Sequence, residues 1–455
     1  MPGGLPPSKD SPVRKSLADS KSNGVACFAS LTSDRIHAPV DLQNNHLALT
    51  LPNSPSPSAS LALPYVWLRD SCPCPSCVHP ETRQKLHRTT DVPLDIKPKR
   101  LAWVNSMEKG AHVIGDPGHK SRYSEKWFQT WADQTKVRER YHEGALEMVP
   151  WLRQGLINSN GGSKLYHSWK ELNTNKRALL DVLTQLTKYG IVFIREVPTA
   201  KDEAGEWEVQ KIANMFSQVR ETMWGKMWDV KSVPSRRGVP GRNVAFTEMD
   251  LDLHMDLLYF ETPPRYQLIH CMRNRNVIGG QSLLVDGLQA AHTLWKEDRK
   301  AFDLLASTDV GFHYDNDGHR LAWKHKTIVV DPYSTTSPSS SFSPPKISAL
   351  NYGPPFQSPF PASTPPEFYA AFQKFAALLR RPEARLEFLL KEGDLIVFDN
   401  RRVLHARKAF TEHQSGDDAS SAEDGESNRW LKGCYVEPDT VHDKIRVLRK
   451  ELNVA

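Results

Sequence analysis

Apolar residues recur along this chain with two different periods. Leu179, Val182, Leu183 and Leu186 fall three and four apart, which puts them on one face of a helix, with Gly190 as a stop and a short buried strand over 191–194. Phe368, Phe372, Phe375 and Leu379 repeat the helical spacing. Between these helices the apolar runs are short and bounded by turn residues, at 266–270, 282–285, 327–330, 394–399 and 433–436. Short strands separated by turns predict a mainly β fold, an antiparallel sandwich or barrel with flanking helices.

The same pattern divides the chain. Residues 1–45 are rich in Ser, Pro and Lys and read as a leader; 46–140 form a compact small domain of strand-like pieces; 141–455 form the larger domain. Residues 51–60 (LPNSPSPSAS) read as a loop. Two stretches in the larger domain look like exposed insertions, a Ser/Pro-rich loop near 334–345 and an acidic, low-complexity run over 413–428. No internal repeat is visible.

Composition narrows the function classes. The 455 residues are 39% hydrophobic and 25% charged, enough apolar material for a sizeable core, and no apolar run approaches the ~18 residues of a membrane helix. A net charge of +6 without long Lys/Arg blocks argues against a nucleic-acid partner and suits small anionic ligands. The N-terminus lacks the apolar segment of a secretory signal. Its basic, Ser-rich character is compatible with a mitochondrial presequence, but Asp10, Asp19 and the early prolines argue for a cytoplasmic protein.

Six cysteines are too few for a disulfide scaffold, and three of them crowd into Cys72, Cys74 and Cys77. Three thiols in six residues need one more ligand to close a tetrahedral zinc site. His79, His87, His112 and His119 are the candidates; His119, in DPGHKSRYSEKW, is preferred because it would clasp the small domain across its length.

A second metal signal lies in the larger domain. An iron(II) oxygenase holds its metal with two imidazoles and one carboxylate on one face, and a His and an Asp two apart on a strand point to the same side. The tripeptide occurs twice, at His254–Asp256 and His313–Asp315. The first sits in the extended DLDLHMDLLY before an apolar strand; the second sits in HYDNDGH, which reads as a polar loop, so His254 and Asp256 are chosen. His405, after a buried strand and a polar turn, is the candidate third ligand, 149 residues beyond Asp256. An anionic cosubstrate calls for the bidentate fork of an arginine. Arg429 opens the strand-like RWLKGCYV, with Arg407 as its competitor, and Ser282 after Gly279-Gly280 could add a hydroxyl.

These segments resemble a known family. WLRDSCPCPSC, DPGHKSRYSEKW, NVAFTEMDLDLHMDLLYFETPPRYQLIHC, FDNRRVLHAR and RWLKGCYV, in this order, are similar to gamma-butyrobetaine dioxygenase and trimethyllysine dioxygenase, over roughly residues 61–450. The resemblance implies a double-stranded β-helix (jelly roll) catalytic domain, with iron(II) on His254, Asp256 and His405 and 2-oxoglutarate on Arg429. It also implies a small N-terminal zinc-binding β domain with Cys72, Cys74, Cys77 and His119 as ligands. The gap from His405 to Arg429, 24 residues, exceeds the family's usual spacing, and the 413–428 insertion accounts for the excess.

By alignment Trp224, Trp228 and Phe246 match an aromatic cage for a trimethylammonium group, which donates no hydrogen bonds and is held by ring faces. Asn243 and Asn351 are candidates for the substrate carboxylate. The expected activity is hydroxylation of gamma-butyrobetaine to L-carnitine with dioxygen as co-reactant and ascorbate as reductant. Trimethyllysine hydroxylation, another oxygenase of this fold, and a non-catalytic betaine-binding module are the alternatives. Family analogy implies a homodimer.

Overall fold

The computed structural model describes residues 40–43, 45–49, 61–104, 110–115, 119–132, 137, 147–158, 165–231, 247–331, 344–412 and 428–454. The loop expected at 51–60 and nearly all of both insertions lie outside these. The chain divides into two units, Met1–Arg140 and Tyr141–Ala455. None of the described helices is long and apolar enough to cross a membrane.

Among the described residues the first unit holds two three-stranded antiparallel sheets. One comprises Val40–Leu42, His46–Leu49 and Leu61–Pro64; the other Pro98–Val104, Gly110–Gly115 and Lys120–Ser124. Val40–Leu42 falls inside the stretch read as leader: a Val-Asp-Leu alternation too short to stand out by itself becomes a strand by pairing with His46–Leu49. Leu47, Leu49, Leu68, Tyr123 and Phe128 form this unit's core.

The second unit is layered, and period-2 alternation builds the layers. A seven-stranded sheet carries, in order, Trp228–Lys231, Arg429–Val436, Tyr266–Asn274, Leu395–Asp399, Ile191–Arg195 and Tyr166–Ser168, with Val219–Arg220 pairing the Arg429 strand. A four-stranded sheet runs Leu251–His254, Val403–Arg407, Ser282–Asp286, Arg385–Phe388. Along Leu395–Asp399, Leu395 and Val397 pack into a core shared with the helices Lys176–Tyr189, Glu208–Phe216 and Pro438–Glu451, while Ile396 and Phe398 join Leu284 and Val403 of the smaller sheet. Leu404 and Ala406 turn the other way, into a third core against the helices Gly287–Glu297, Arg299–Ser307 and Pro366–Leu379. Val403, His405 and Arg407 therefore share the inward face, as do Arg429, Leu431, Gly433 and Tyr435 on their own strand.

One expectation is corrected. HYDNDGH is no loop: His313 and Asp315 lie on the strand Asp309–Asn316, which pairs with His319–Lys326 through a tight turn at Asp317 and Gly318, both at positive φ. The polar residues there are the tip and exposed face of a hairpin.

Candidate active site

His254 and His405 are direct cross-strand partners. Between Leu251 and His254 the register slips, so that three residues span what two span on the partner strand. This bulge lets both Leu251 and His254 face inward despite their odd spacing. Asp256 follows in a tight turn whose next residue, Leu257, has φ +59°.

The three side chains converge. His254 Nε2 lies 3.5 Å and His405 Nε2 3.8 Å from Asp256 Oδ1, and the imidazole centroids are 4.1 Å apart. One ligand atom from each residue lies within 4.8 Å of the others, a donor set suited to one metal ion. The surroundings aim each ligand. His254 Nδ1 sits 2.8 Å from the Asp252 carbonyl, so Nδ1 carries the proton and Nε2 keeps its lone pair for the centre. Gln267 Nε2 and the Tyr435 hydroxyl donate to Asp256 Oδ2 at 2.8 and 2.9 Å, leaving Oδ1 to the imidazoles. Asn400 accepts from the Asp256 amide at 2.8 Å and donates to its carbonyl at 3.0 Å, pinning the turn.

The electrostatics favour a cation. Burial would raise the Asp256 carboxyl, but His405, His254 and the Tyr435 hydroxyl outweigh it and hold it well below the usual carboxylate range. Burial, with His254 beside it, pulls His405 down to about 3 and keeps it a neutral donor at ordinary pH.

Two cavities meet at this triad. The first, about 100 Å³, reaches Ser282, Gln267, Arg407 and Arg429. Arg429 is only 5% exposed; burial and the neighbouring Arg407 lower it to about 10, so the cavity end is strongly cationic. Arg407 donates to the carbonyls of Thr247 and Met249 at 2.6 and 2.7 Å, which commits it to holding that segment. The second cavity, about 300 Å³, is walled by Trp224, Trp228, Tyr259, Phe356 and Tyr435.

The rejected tripeptide and one of the candidate substrate residues fall elsewhere. His313 is on the exposed hairpin, 2.9 Å from Ser358 Oγ, and Asp315 pairs with Arg320. Asn351 is buried, donates to the Lys326 carbonyl at 2.8 Å and lines neither cavity. Asn243 and Phe246 lie outside the described residues. Sequence reasoning missed Gln267, Asn400, Tyr259, Phe356 and Tyr435. A glutamine set between Tyr266 and Leu268 at the start of a buried strand was the one available signal.

In the first unit Cys72, Cys74 and Cys77 place their Sγ atoms 3.4, 3.5 and 3.4 Å from His119 Nε2. A tetrahedral zinc with ordinary S and N bonds needs ligand edges of about 3.5 Å, so the donor set and its spacing fit that ion. Arg69 donates to Cys77 Sγ at 3.2 Å. His79 accepts backbone amides of Glu81 and Thr82, and His87 lies beside Asp70, which leaves His119 as the fourth donor. The side chain of His112 lies outside the described residues.

Two family models match this chain. Residues 163–435 match the taurine catabolism dioxygenase TauD, TfdA family, and residues 43–129 match the gamma-butyrobetaine hydroxylase-like N-terminal domain. The chain belongs to the TauD/TfdA dioxygenase family. This TauD/TfdA protein is 39% identical over 386 residues to dioxygenase str8 of Strobilurus tenacellus, covering 85% of each chain. It is 32% identical to gamma-butyrobetaine dioxygenase of Pseudomonas sp. (strain AK-1), covering 85% of this chain and 90% of that one. It is 30% identical to mitochondrial trimethyllysine dioxygenase of Rattus norvegicus, covering 86% and 84%. The resemblance read from five sequence segments thus extends over most of the chain, and the protein is a 2-oxoglutarate-dependent dioxygenase.

Proposed function

We propose that this protein hydroxylates an unactivated C–H bond of a trimethylammonium carboxylic acid, with gamma-butyrobetaine, giving L-carnitine, as the preferred substrate. The observation that carries the proposal is the aromatic-walled cavity opening on the His254–Asp256–His405 triad. A quaternary ammonium offers no N–H to a carboxylate or carbonyl, so ring faces are its best partners, each worth ~0.5–2 kcal/mol. Trp224, Trp228, Tyr259 and Tyr435 supply such faces. The facing sheets are read as a double-stranded β-helix with the triad at its mouth.

The residues then have separate tasks. His254, Asp256 and His405 hold iron(II) on one face; Gln267, Tyr435 and Asn400 keep the carboxylate in register. Arg429, with Ser282, receives the distal carboxylate of 2-oxoglutarate in the cationic cavity. The aromatic wall seats the ammonium so that a methylene carbon lies towards the triad, and it excludes water. When bound, iron(II) supplies dioxygen activation coupled to conversion of 2-oxoglutarate to succinate and carbon dioxide. The Cys72–Cys74–Cys77–His119 cluster is assigned to structural zinc.

Trimethyllysine is the second reading, favoured by the similarity to trimethyllysine dioxygenases. The test is succinate release from 2-oxoglutarate with iron(II) and ascorbate across gamma-butyrobetaine, trimethyllysine and taurine, with products identified by mass. Stimulation by gamma-butyrobetaine and a product heavier by one oxygen are expected. Stimulation by trimethyllysine alone selects the second reading, and stimulation by neither trimethylammonium acid overturns the proposal.

A further inference from the structure

Gly433 is an anomaly on its strand. It sits in the interior of Arg429–Val436, where a glycine weakens a sheet. It is not among the glycines at positive φ, so its backbone makes no demand that alanine could not meet. Its inward-facing neighbours, Leu431 and Tyr435, are both large. The glycine is therefore required by space rather than by conformation.

Trp228 fills that space. It is the direct cross-strand partner of Gly433. A Cβ built on Gly433 would lie 2.2 Å from Cη2, 2.3 Å from Cζ2 and 2.7 Å from Cζ3 of the Trp228 ring. The benzo edge of the indole thus lies across the bare Cα. The ring centroid stands 5.6 Å from that of Tyr435, and Trp228 borders both cavities. The Trp228 N–H has no hydrogen-bond partner among the described residues, so packing alone fixes the ring. The next residue, Asp229, anchors the strand from its other face: it accepts from Trp430 Nε1 at 2.5 Å and pairs with Lys432 Nζ at 2.8 Å. With the strand clamped, an obstruction at Gly433 can be relieved only by moving the indole.

We propose that Gly433 is a specificity-determining position, its missing side chain being the slot in which Trp228 lies to wall the ammonium end of the substrate cavity. The proposal rests on the trimethylammonium reading above and names what shapes that subsite. Gly433→Ala displaces the indole and opens or skews the cage, while the triad side chains and Arg429 themselves are unaltered. Gly433 is a positioning residue; it touches no reacting atom.

The test uses the full chain with iron(II), 2-oxoglutarate and ascorbate. Gly433→Ala should raise KM for the trimethylammonium acid at least tenfold, with kcat and the KM for 2-oxoglutarate within about threefold of the parent. In a Trp228→Ala background the same change should move KM by less than twofold, because no ring remains to displace. An unchanged KM in Gly433→Ala overturns the inference and leaves the proposed function standing. If no trimethylammonium acid stimulates the parent protein, the proposed function falls instead, and the slot is read directly by ¹⁹F NMR of 5-fluorotryptophan-labelled chain. The Trp228 resonance, identified by its loss in Trp228→Phe, should shift in Gly433→Ala; an unmoved resonance refutes the slot. Should Gly433→Ala fail to fold, recovery of folding in Gly433→Ala/Trp228→Ala supports the inference, and failure of both overturns it.

Discussion

Replacing Gln267 by leucine isolates what the residues behind the triad contribute. Gln267 is 1% exposed and donates to Asp256 Oδ2 at 2.8 Å. Leucine has nearly the same volume, so the cavity wall stays filled while the donor is lost. A hydrogen bond to a charged acceptor contributes about 1.5–3 kcal/mol, and removing such outer partners of metal ligands typically lowers metal affinity 10–100-fold. Tyr435 still donates to the same oxygen at 2.9 Å, so the lower end applies, on the order of 10-fold. Gln267→Leu/Tyr435→Phe, with neither donor, should approach 100-fold or beyond. Anaerobic iron(II) titration against a competing chelator measures the loss, and Co(II) absorption in the same variants reports the ligand set independently of turnover. Activity of Gln267→Leu should return to within a few-fold of the parent when iron is saturating. Iron affinity within twofold of the parent would refute the claim that Gln267 aims the carboxylate.

Other consequences are equally direct. Arg429→Ala should raise the KM for 2-oxoglutarate roughly 100-fold in decarboxylation assays, since a buried fork-and-carboxylate pair is lost; an unchanged KM would move the anchor elsewhere. Cys74→Ala should abolish stoichiometric zinc by elemental analysis and destabilise the N-terminal unit by a large part of the roughly 10 kcal/mol that structural zinc supplies, and retained zinc would show that the cluster has another purpose. His270 is fully buried, and burial pulls it down to about 4. Above pH ~6.5 it is neutral folded or unfolded; below that the unfolded chain binds a proton that the folded chain refuses until about pH 4, so stability falls with acid over this window. Urea melts between pH 7 and 4 should show a slope shallower by about one proton in His270→Leu, and an identical slope would contradict it.

Local signals and distant ones were unequally legible in the sequence. His254 and Asp256 share one short segment, and Cys72, Cys74 and Cys77 crowd into one turn, so their grouping could be read from spacing alone. His405 was legible because a buried strand and a polar turn precede it, which is where a strand end meets a site. Gln267, Asn400 and Tyr435 left little trace: their partner, Asp256, is 11, 144 and 179 residues away, and pairing at that range has no periodicity. HYDNDGH was misread because polarity was weighed above the Asp-Gly pair, which marks a hairpin tip whose flanking strands expose one face. Asn351 was a candidate for the substrate carboxylate; in the fold its amide donates to the Lys326 carbonyl, a tertiary contact that no local pattern announces.

The cross-strand pairing of His254 with His405 also has a bearing on when the protein becomes competent during its own synthesis. The first two donors sit two residues apart, yet His405, which completes the grip, follows Asp256 by 149 residues, and Arg429 follows Asp256 by 173. A nascent or C-terminally clipped chain carries an imidazole and a carboxylate with nothing to close the ring around an ion. Loading must therefore follow sheet closure, the slow, long-range event in such topologies. A truncation screen would find capture of iron switching on abruptly once Val403–Arg407 is included and paired, rather than growing with length.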